Sequence, residues 1–166
     1  MYNLTKDKKL LIFKYKFLHR SITTNKTLNQ WDRNKPIDQQ RSANCTFCKK
    51  TEESIEHLFF DCNITKRLWK DILNWIYGKV GIRINFNKTE ILLGTLPTEL
   101  FIFNLIFLLG IKYIYYSRSK ETSPNVYLLK HILKDTYYVE KEAATGNSRK
   151  ENLFNLKWEL LHDCFR

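Results

Sequence analysis

Cys45-Thr46-Phe47-Cys48-Lys49-Lys50-Thr51-Glu52-Glu53-Ser54-Ile55-Glu56-His57-Leu58-Phe59-Phe60-Asp61-Cys62 is the stretch from which the rest of the chain is read. Its pattern is C-x2-C-x8-H-x4-C. A zinc ion takes four soft or borderline ligands in a tetrahedron, and three thiolates with one imidazole complete that shell. The short first spacer lets Cys45 and Cys48 grip the metal from one tight turn. The last spacer lets His57 and Cys62 approach from one helical segment and the residue just beyond it. With no coordination position open, the single Zn2+ ion is expected to be structural and not a water-activating catalyst. Ordering of residues 41–65 is expected to depend on it. A C-x2-C pair also serves as a redox dithiol, but no strand-to-helix context of that kind surrounds this one. Cys164 reads as an ordinary half-buried thiol. His19, His131 and His162 have no partners at ligand spacing.

The surrounding pattern is helical. Leu68, Trp69, Ile72, Leu73, Ile76 and Tyr77 form one apolar stripe, with Lys66, Arg67, Lys70 and Asp71 facing elsewhere. Asn63 is the expected N-cap of that helix, and Gly78 and Gly81 its stop. Upstream, a first helix over about 5–20 draws its apolar surface from Leu10, Leu11, Tyr15, Phe17 and Leu18. Thr24 or Asn25 caps a second short helix carrying Leu28 and Trp31, which Pro36 ends. Downstream, Ile82, Ile84 and Phe86 alternate as extended chain. Pro97 precedes a long helix over about 98–117, apolar on most sides and hence central. Helices over about 126–145 and 148–163 follow, with Phe154, Trp158 and Leu161 packing the last one back onto the body. The fold class is mainly α, a small helical domain with an inserted CCHC zinc knuckle. The expected divisions are a basic helical lead-in (1–40), the knuckle plus its following helix (41–78) and a C-terminal helical region (79–166).

Of the 166 residues, 43% are hydrophobic and 14% aromatic, which fits a packed core. The formal net charge is +11. Residues 1–50 hold 12 Lys/Arg against three Asp. Positive potential is thus concentrated ahead of the knuckle, where it would attract phosphate backbones or anionic lipid, or merely keep a face soluble. The metal with three thiolates carries a formal charge of −1, which Lys49 and Lys50 would in part compensate. No secretory signal is visible, since Lys14 and Lys16 interrupt the first apolar run. The longest apolar stretch, 100–116, contains Asn104, Gly110 and Lys112 and reads as a core helix, not a membrane span. With two cysteines so close and no signal, metal ligation is expected over disulfides. The expected location is intracellular, nucleus or cytoplasm.

Glu53-Ser54-Ile55-Glu56-His57-Leu58-Phe59-Phe60-Asp61-Cys62, followed by Leu68-Trp69, resembles the zinc-binding region after the reverse transcriptase domain of LINE-type (non-LTR) retrotransposon polyproteins. The lead-in Phe17-Leu18-His19-Arg20, Thr24, Leu28 and Trp31-Asp32 is similar to that family's, as are Leu92-Leu93-Gly94-Thr95-Leu96-Pro97, Glu140-Lys141 and Trp158 downstream. The resemblance is specific over residues 45–69 and looser elsewhere. It implies zinc ligation by Cys45, Cys48, His57 and Cys62, and binding of RNA or target DNA beside a polymerase domain. Asn63 departs from the proline common there. No paired-aspartate polymerase motif or nuclease-like acidic cluster occurs, so the chain is expected to be a non-catalytic fragment or remnant and not an enzyme.

The leading expectation is therefore a zinc-dependent nucleic-acid-binding module. Its phosphate contacts would come from Lys14, Lys16, Arg20, Arg41, Lys49, Lys50, Lys66, Arg67 and Lys70. Phe47, inside the ligand turn, is the expected exposed ring for stacking on unpaired bases, while Trp31 reads slightly better as core. The competing expectation is a zinc-stapled scaffold for another protein, with 100–116 as the interface if exposed.

Overall fold

Helix α1 (Lys8–Leu18) starts where a carboxylate satisfies its free N–H groups: Asp7 accepts from Lys9 at 2.8 Å and Leu10 at 3.2 Å. This computed structural model describes residues 5–81, 83, 87–89 and 101–165, with the backbone alone at Phe101. The helix is shorter than its apolar pattern predicts, and it buries only Leu10 and Phe17. Leu11, Ile12, Tyr15 and Leu18 face solvent. Thr24 caps α2 (Asn25–Trp31) through the Thr27 N–H. That helix stops five residues before Pro36, and the proline instead leads into a 3-10 turn at Ile37–Gln39.

Helix α3 (Asn63–Val80) differs from expectation at both ends. Cys62 occupies the N-cap position and Asn63 is the first helical residue, with no side-chain cap. The Thr65 hydroxyl donates instead to the Cys62 carbonyl at 3.0 Å. The helix runs through Gly78 and stops only at Gly81, whose φ of 70° is the left-handed conformation that glycine adopts without a Cβ clash. The apolar stripe forms as read: Leu68, Trp69, Ile72 and Ile76 are buried and Leu73 is partly so. Tyr77, at the stripe's edge, is exposed under the Arg83 guanidinium.

Helix α4 (Phe101–Ser119) is the centre of the molecule. Ile102 to Leu109, Ile111, Tyr113 and Ile114 are all buried, which accounts for its lack of a polar side. Around it pack α1, a π-helical turn at His57–Asp61, α5 (Val126–Ala144) and α6 (Ser148–Trp158). Asn125 caps α5 through the Leu128 N–H, and Asn147 caps α6 through that of Lys150. The chain then tightens into a 3-10 helix, Glu159–Cys164, where a continuous helix was expected. Phe154, Trp158 and Leu161 are buried as anticipated. Trp158 meets Tyr137 of α5 edge-on at 5.3 Å and donates to Glu140, which also holds Lys157. Helix α3 packs on α5 and on the C-terminal 3-10 helix.

The described elements are helices, and no strand occurs among these residues. A single antiparallel bridge joins Asn44 to Glu52. No helix among the described residues is long and apolar enough to cross a membrane. Ile82, Ile84, Phe86 and Pro97, which carry the remaining expectations, lie outside the described residues.

Candidate metal centre

The bridge between Asn44 and Glu52 closes a loop in which every backbone N–H from Cys45 to Thr51 has a partner. The Cys45 N–H donates to the Thr51 carbonyl at 2.8 Å, and the Lys49 N–H to the Cys45 carbonyl at 2.9 Å. The N–H groups of Phe47 and Cys48 point at the Cys45 sulfur, and those of Lys50 and Thr51 at the Cys48 sulfur. The remaining one, from Thr46, donates to the Glu53 carboxylate at 2.7 Å. Folding back so tightly places Lys49 at φ 59°, in the left-handed region.

The second pair of ligands arrives on the π-helical turn. A Ser54 hydroxyl accepts the His57 N–H at 3.0 Å and starts this turn, and the Cys62 N–H closes it on the His57 carbonyl at 2.8 Å. The wider turn sets His57 and Cys62 on one side, while Leu58, Phe59 and Phe60 are buried. Phe17 of α1 meets Phe59 edge-on at 5.2 Å. Trp69 donates its indole N–H to the Phe59 carbonyl at 2.8 Å, which ties α3 to the π turn.

One donor atom from each of Cys45, Cys48, His57 and Cys62 lies within 4.8 Å of the others. The Cys45 and Cys62 sulfurs are 3.9 Å apart, and Cys48 Sγ is 3.3 Å from His57 Nε2. Tetrahedral zinc with ordinary Zn–S and Zn–N bonds puts such atoms about 3.5–3.8 Å apart, so these two pairs stand close to the spacing that the ion imposes, and the whole set lies within about 1 Å of it. Cys45 and Cys62 are wholly buried. Burial pushes the Cys45 thiol up to about 12. Burial acts the same way on Cys48, but the Lys50 and Thr51 N–H groups and the His57 ring outweigh it and bring that thiol down to about 6. The centre therefore offers one sulfur already inclined to the thiolate, and one that gives up its proton to a metal. Cys164 lies apart from this cluster as a half-buried free thiol.

Other residues singled out in the sequence have diverse settings. Lys16, Lys49, Lys50, Lys66 and Lys70 are exposed, and Lys14 is half-buried. Arg20 pairs with Glu56, and Arg67 with Asp71 at 3.8 Å. Arg41 is committed to structure: its guanidinium meets Asp32, a carboxylate only 1% exposed that also binds Lys35 at 2.7 Å. Hydrogen bonds from Arg41 and Lys35 hold the Asp32 carboxyl well below the usual range. The aromatic expectation is inverted. Phe47 is partly buried and packs against the core, whereas Trp31 is 64% exposed. Ile102 to Leu109, Ile111, Tyr113 and Ile114 of the long apolar helix are buried, so these residues do not provide an exposed interface, and among the described residues of 100–116 only Tyr116 is exposed.

Three residues that hold the centre in place were given no such role from the sequence. Glu53 is fully buried, Arg118 reaches it from the last turn of α4, and Gly110 lies under the Trp69 ring. Only the lone glycine in an apolar helix hinted at a close approach.

Residues 1–69 match the family model for zinc-binding in reverse transcriptase. The match takes in all four ligands and stops at Trp69, so α4, α5 and α6 lie beyond it. No curated protein and no solved structure matches the chain. The Cys3His geometry and this match together support one structural zinc ion at Cys45, Cys48, His57 and Cys62.

Proposed function

We propose that the chain is a nucleic-acid-binding module whose cationic surface is organised by zinc, related to the non-LTR retrotransposon type and serving beside a reverse transcriptase domain. The observation that carries this reading is at the loop tip: Lys49 and Lys50 are exposed on a turn whose every N–H is spent on the ligand sulfurs, the loop backbone or Glu53. Cations held on a rigid turn meet phosphates without paying for its ordering. Lys16, Lys66 and Lys70 extend the surface. Arg41 drops to a lesser role because the buried Asp32 carboxylate holds it, whereas the pairs of Arg20 and Arg67 are exposed and weak enough to yield to phosphate. Trp31 replaces Phe47 as the ring open to an unpaired base. The matched family is a zinc-binding domain, and its reverse transcriptase setting supports a nucleic-acid partner.

Titration of a fluorescent single-stranded RNA across a salt series tests the reading. Affinity should fall steeply as salt rises, and Cys48→Ser should bind worse at every concentration. A folded, zinc-loaded protein that binds neither RNA nor DNA at low salt would sink it. The scaffold reading would then lead, supported by a specific feature of α1: Leu11, Ile12, Tyr15 and Leu18 form one exposed ridge at helical spacing.

A further inference from the structure

The ligand loop has one backbone N–H that is used neither by a sulfur nor by the loop itself. It belongs to Thr46, directly after the first ligand, and Glu53 Oε2 accepts it at 2.7 Å. The other oxygen, Glu53 Oε1, accepts the Asn25 N–H at 2.9 Å and Arg118 Nε at 2.6 Å. Arg118 also donates to the Asn25 side-chain oxygen at 2.7 Å, and Asn25 Nδ2 returns to the loop at the Asn44 carbonyl, 2.7 Å away. One closed circuit thus joins the metal loop, the start of α2 and the end of α4. The Tyr115 ring lies beside the Arg118 guanidinium at 5.7 Å, and its hydroxyl donates to the Thr23 carbonyl at 3.4 Å.

The setting makes this circuit more than a convenience of packing. Glu53 is 0% exposed and Arg118 only 11%. A carboxylate withdrawn from water is tolerated when paired and fully hydrogen-bonded, and it becomes strongly destabilising when its partner is removed. Glu53 also stands near a centre that is itself anionic once three thiolates hold zinc. Arg118 is the cation that lets both negative charges exist side by side.

We infer that Glu53 and Arg118 are positioning residues of the zinc centre, so that the affinity of Cys45, Cys48, His57 and Cys62 for zinc is set in part by α4. The inference rests on the zinc assignment and not on nucleic-acid binding. It also places a determinant of the metal site outside residues 1–69, the stretch that matches the zinc-binding family.

The test is zinc affinity of the full chain, by competition with a chromophoric chelator, alongside the absorption spectrum of the cobalt-substituted protein. Arg118→Met should weaken zinc by about ten- to a hundred-fold, the usual effect of removing a residue that orients metal ligands. Arg118→Lys keeps the charge and one contact and should recover part of that loss. Glu53→Gln turns an NH2 towards donors that now face a carboxylate, and should weaken zinc and shift the cobalt bands. Lys157→Met is the control, because it breaks a largely buried ion pair with Glu140 between α5 and α6, away from the metal. It should lower thermal stability and leave zinc affinity unchanged. Parent-like affinity in Arg118→Met, or an equal loss in Lys157→Met, would overturn the inference. If Arg118→Met lacks helicity even with zinc, Arg118→Lys decides: parent-like affinity there together with an unchanged Glu53→Gln refutes it.

Discussion

Lys49 shows how a single residue serves two demands. Its backbone takes the left-handed conformation that lets Cys45 and Cys48 face one ion, and its ammonium stands in solvent. A non-glycine residue there costs about 1 kcal/mol, which glycine would not incur. Lys49→Gly should therefore hold zinc as tightly as the parent while binding RNA more weakly, with a shallower dependence on salt. Fluorescence titration and chelator competition on the same sample check both halves. Unchanged RNA affinity would remove Lys49 from the proposed surface and leave the zinc centre untouched. Arg41 teaches the opposite lesson. As a basic residue just ahead of the knuckle it reads as a phosphate contact, yet Asp32 holds its guanidinium.

Among the elements, α3 and α4 settle how firmly the metal-bearing turn is held. Trp69 lies between them, its N–H on the Phe59 carbonyl and its ring edge-on to Phe107 at 5.5 Å. Gly110 makes this fit possible. A Cβ at that position would lie 2.4 Å from Trp69 Cη2 and 2.7 Å from Cζ3. The ring cannot retreat without giving up its bond to the π turn. Gly110→Ala should thus destabilise the protein by about 1–3 kcal/mol, in spite of alanine's better helix propensity. Chemical denaturation measures this, and a variant as stable as the parent would show that α4 can shift to make room. The π turn is itself an element no simple helical period describes: its extra residue per turn brings His57 and Cys62 to one ion while three consecutive apolar side chains are buried.

At the scale of the whole molecule, the metal and the helical core stabilise each other. The Cys45 loop reaches α4 through Glu53 and Arg118, and the His57 turn reaches it through Trp69 and Phe107. Anything that binds only the folded state adds to its stability by mass action. Chelation should consequently lower the melting temperature of the full chain, by about 10 °C or more given the size of structural zinc binding energies. It should do so in one transition followed equally by far-ultraviolet circular dichroism and tryptophan fluorescence. The effect has a pH direction. Protons compete with zinc for the sulfurs, and burial pushes the Cys45 thiol up to about 12, so the protein should release zinc more readily as pH falls. A chelated protein that keeps its melting temperature would mean that the core holds the ligand loop without metal.

The four ligands, the helical class, the α3 stripe and the return of Phe154, Trp158 and Leu161 to the core were all legible in the sequence. Each depends on a short-range rule: tetrahedral chemistry limits the spacing of thiolates and imidazole, and a helix repeats its buried face every three or four residues. Local rules also misplaced some things, such as the cap at Asn63, the exposure of Phe47 and the amount of α1 that is buried. In each case contacts outside the local pattern make the decision. Cys62 takes the cap position because it ends the metal turn, and Phe47 turns against the core that Trp31 does not reach. The pairing of Glu53 with Arg118 spans 65 positions, and the seat of Trp69 on Gly110 likewise joins separate helices. No periodicity encodes such encounters. The sequence by itself determined which atoms can bind the zinc and that helices surround them. Tertiary structure alone decided which cations stay free and what holds the ligands in place, because burial and ion pairing depend on which distant residues meet.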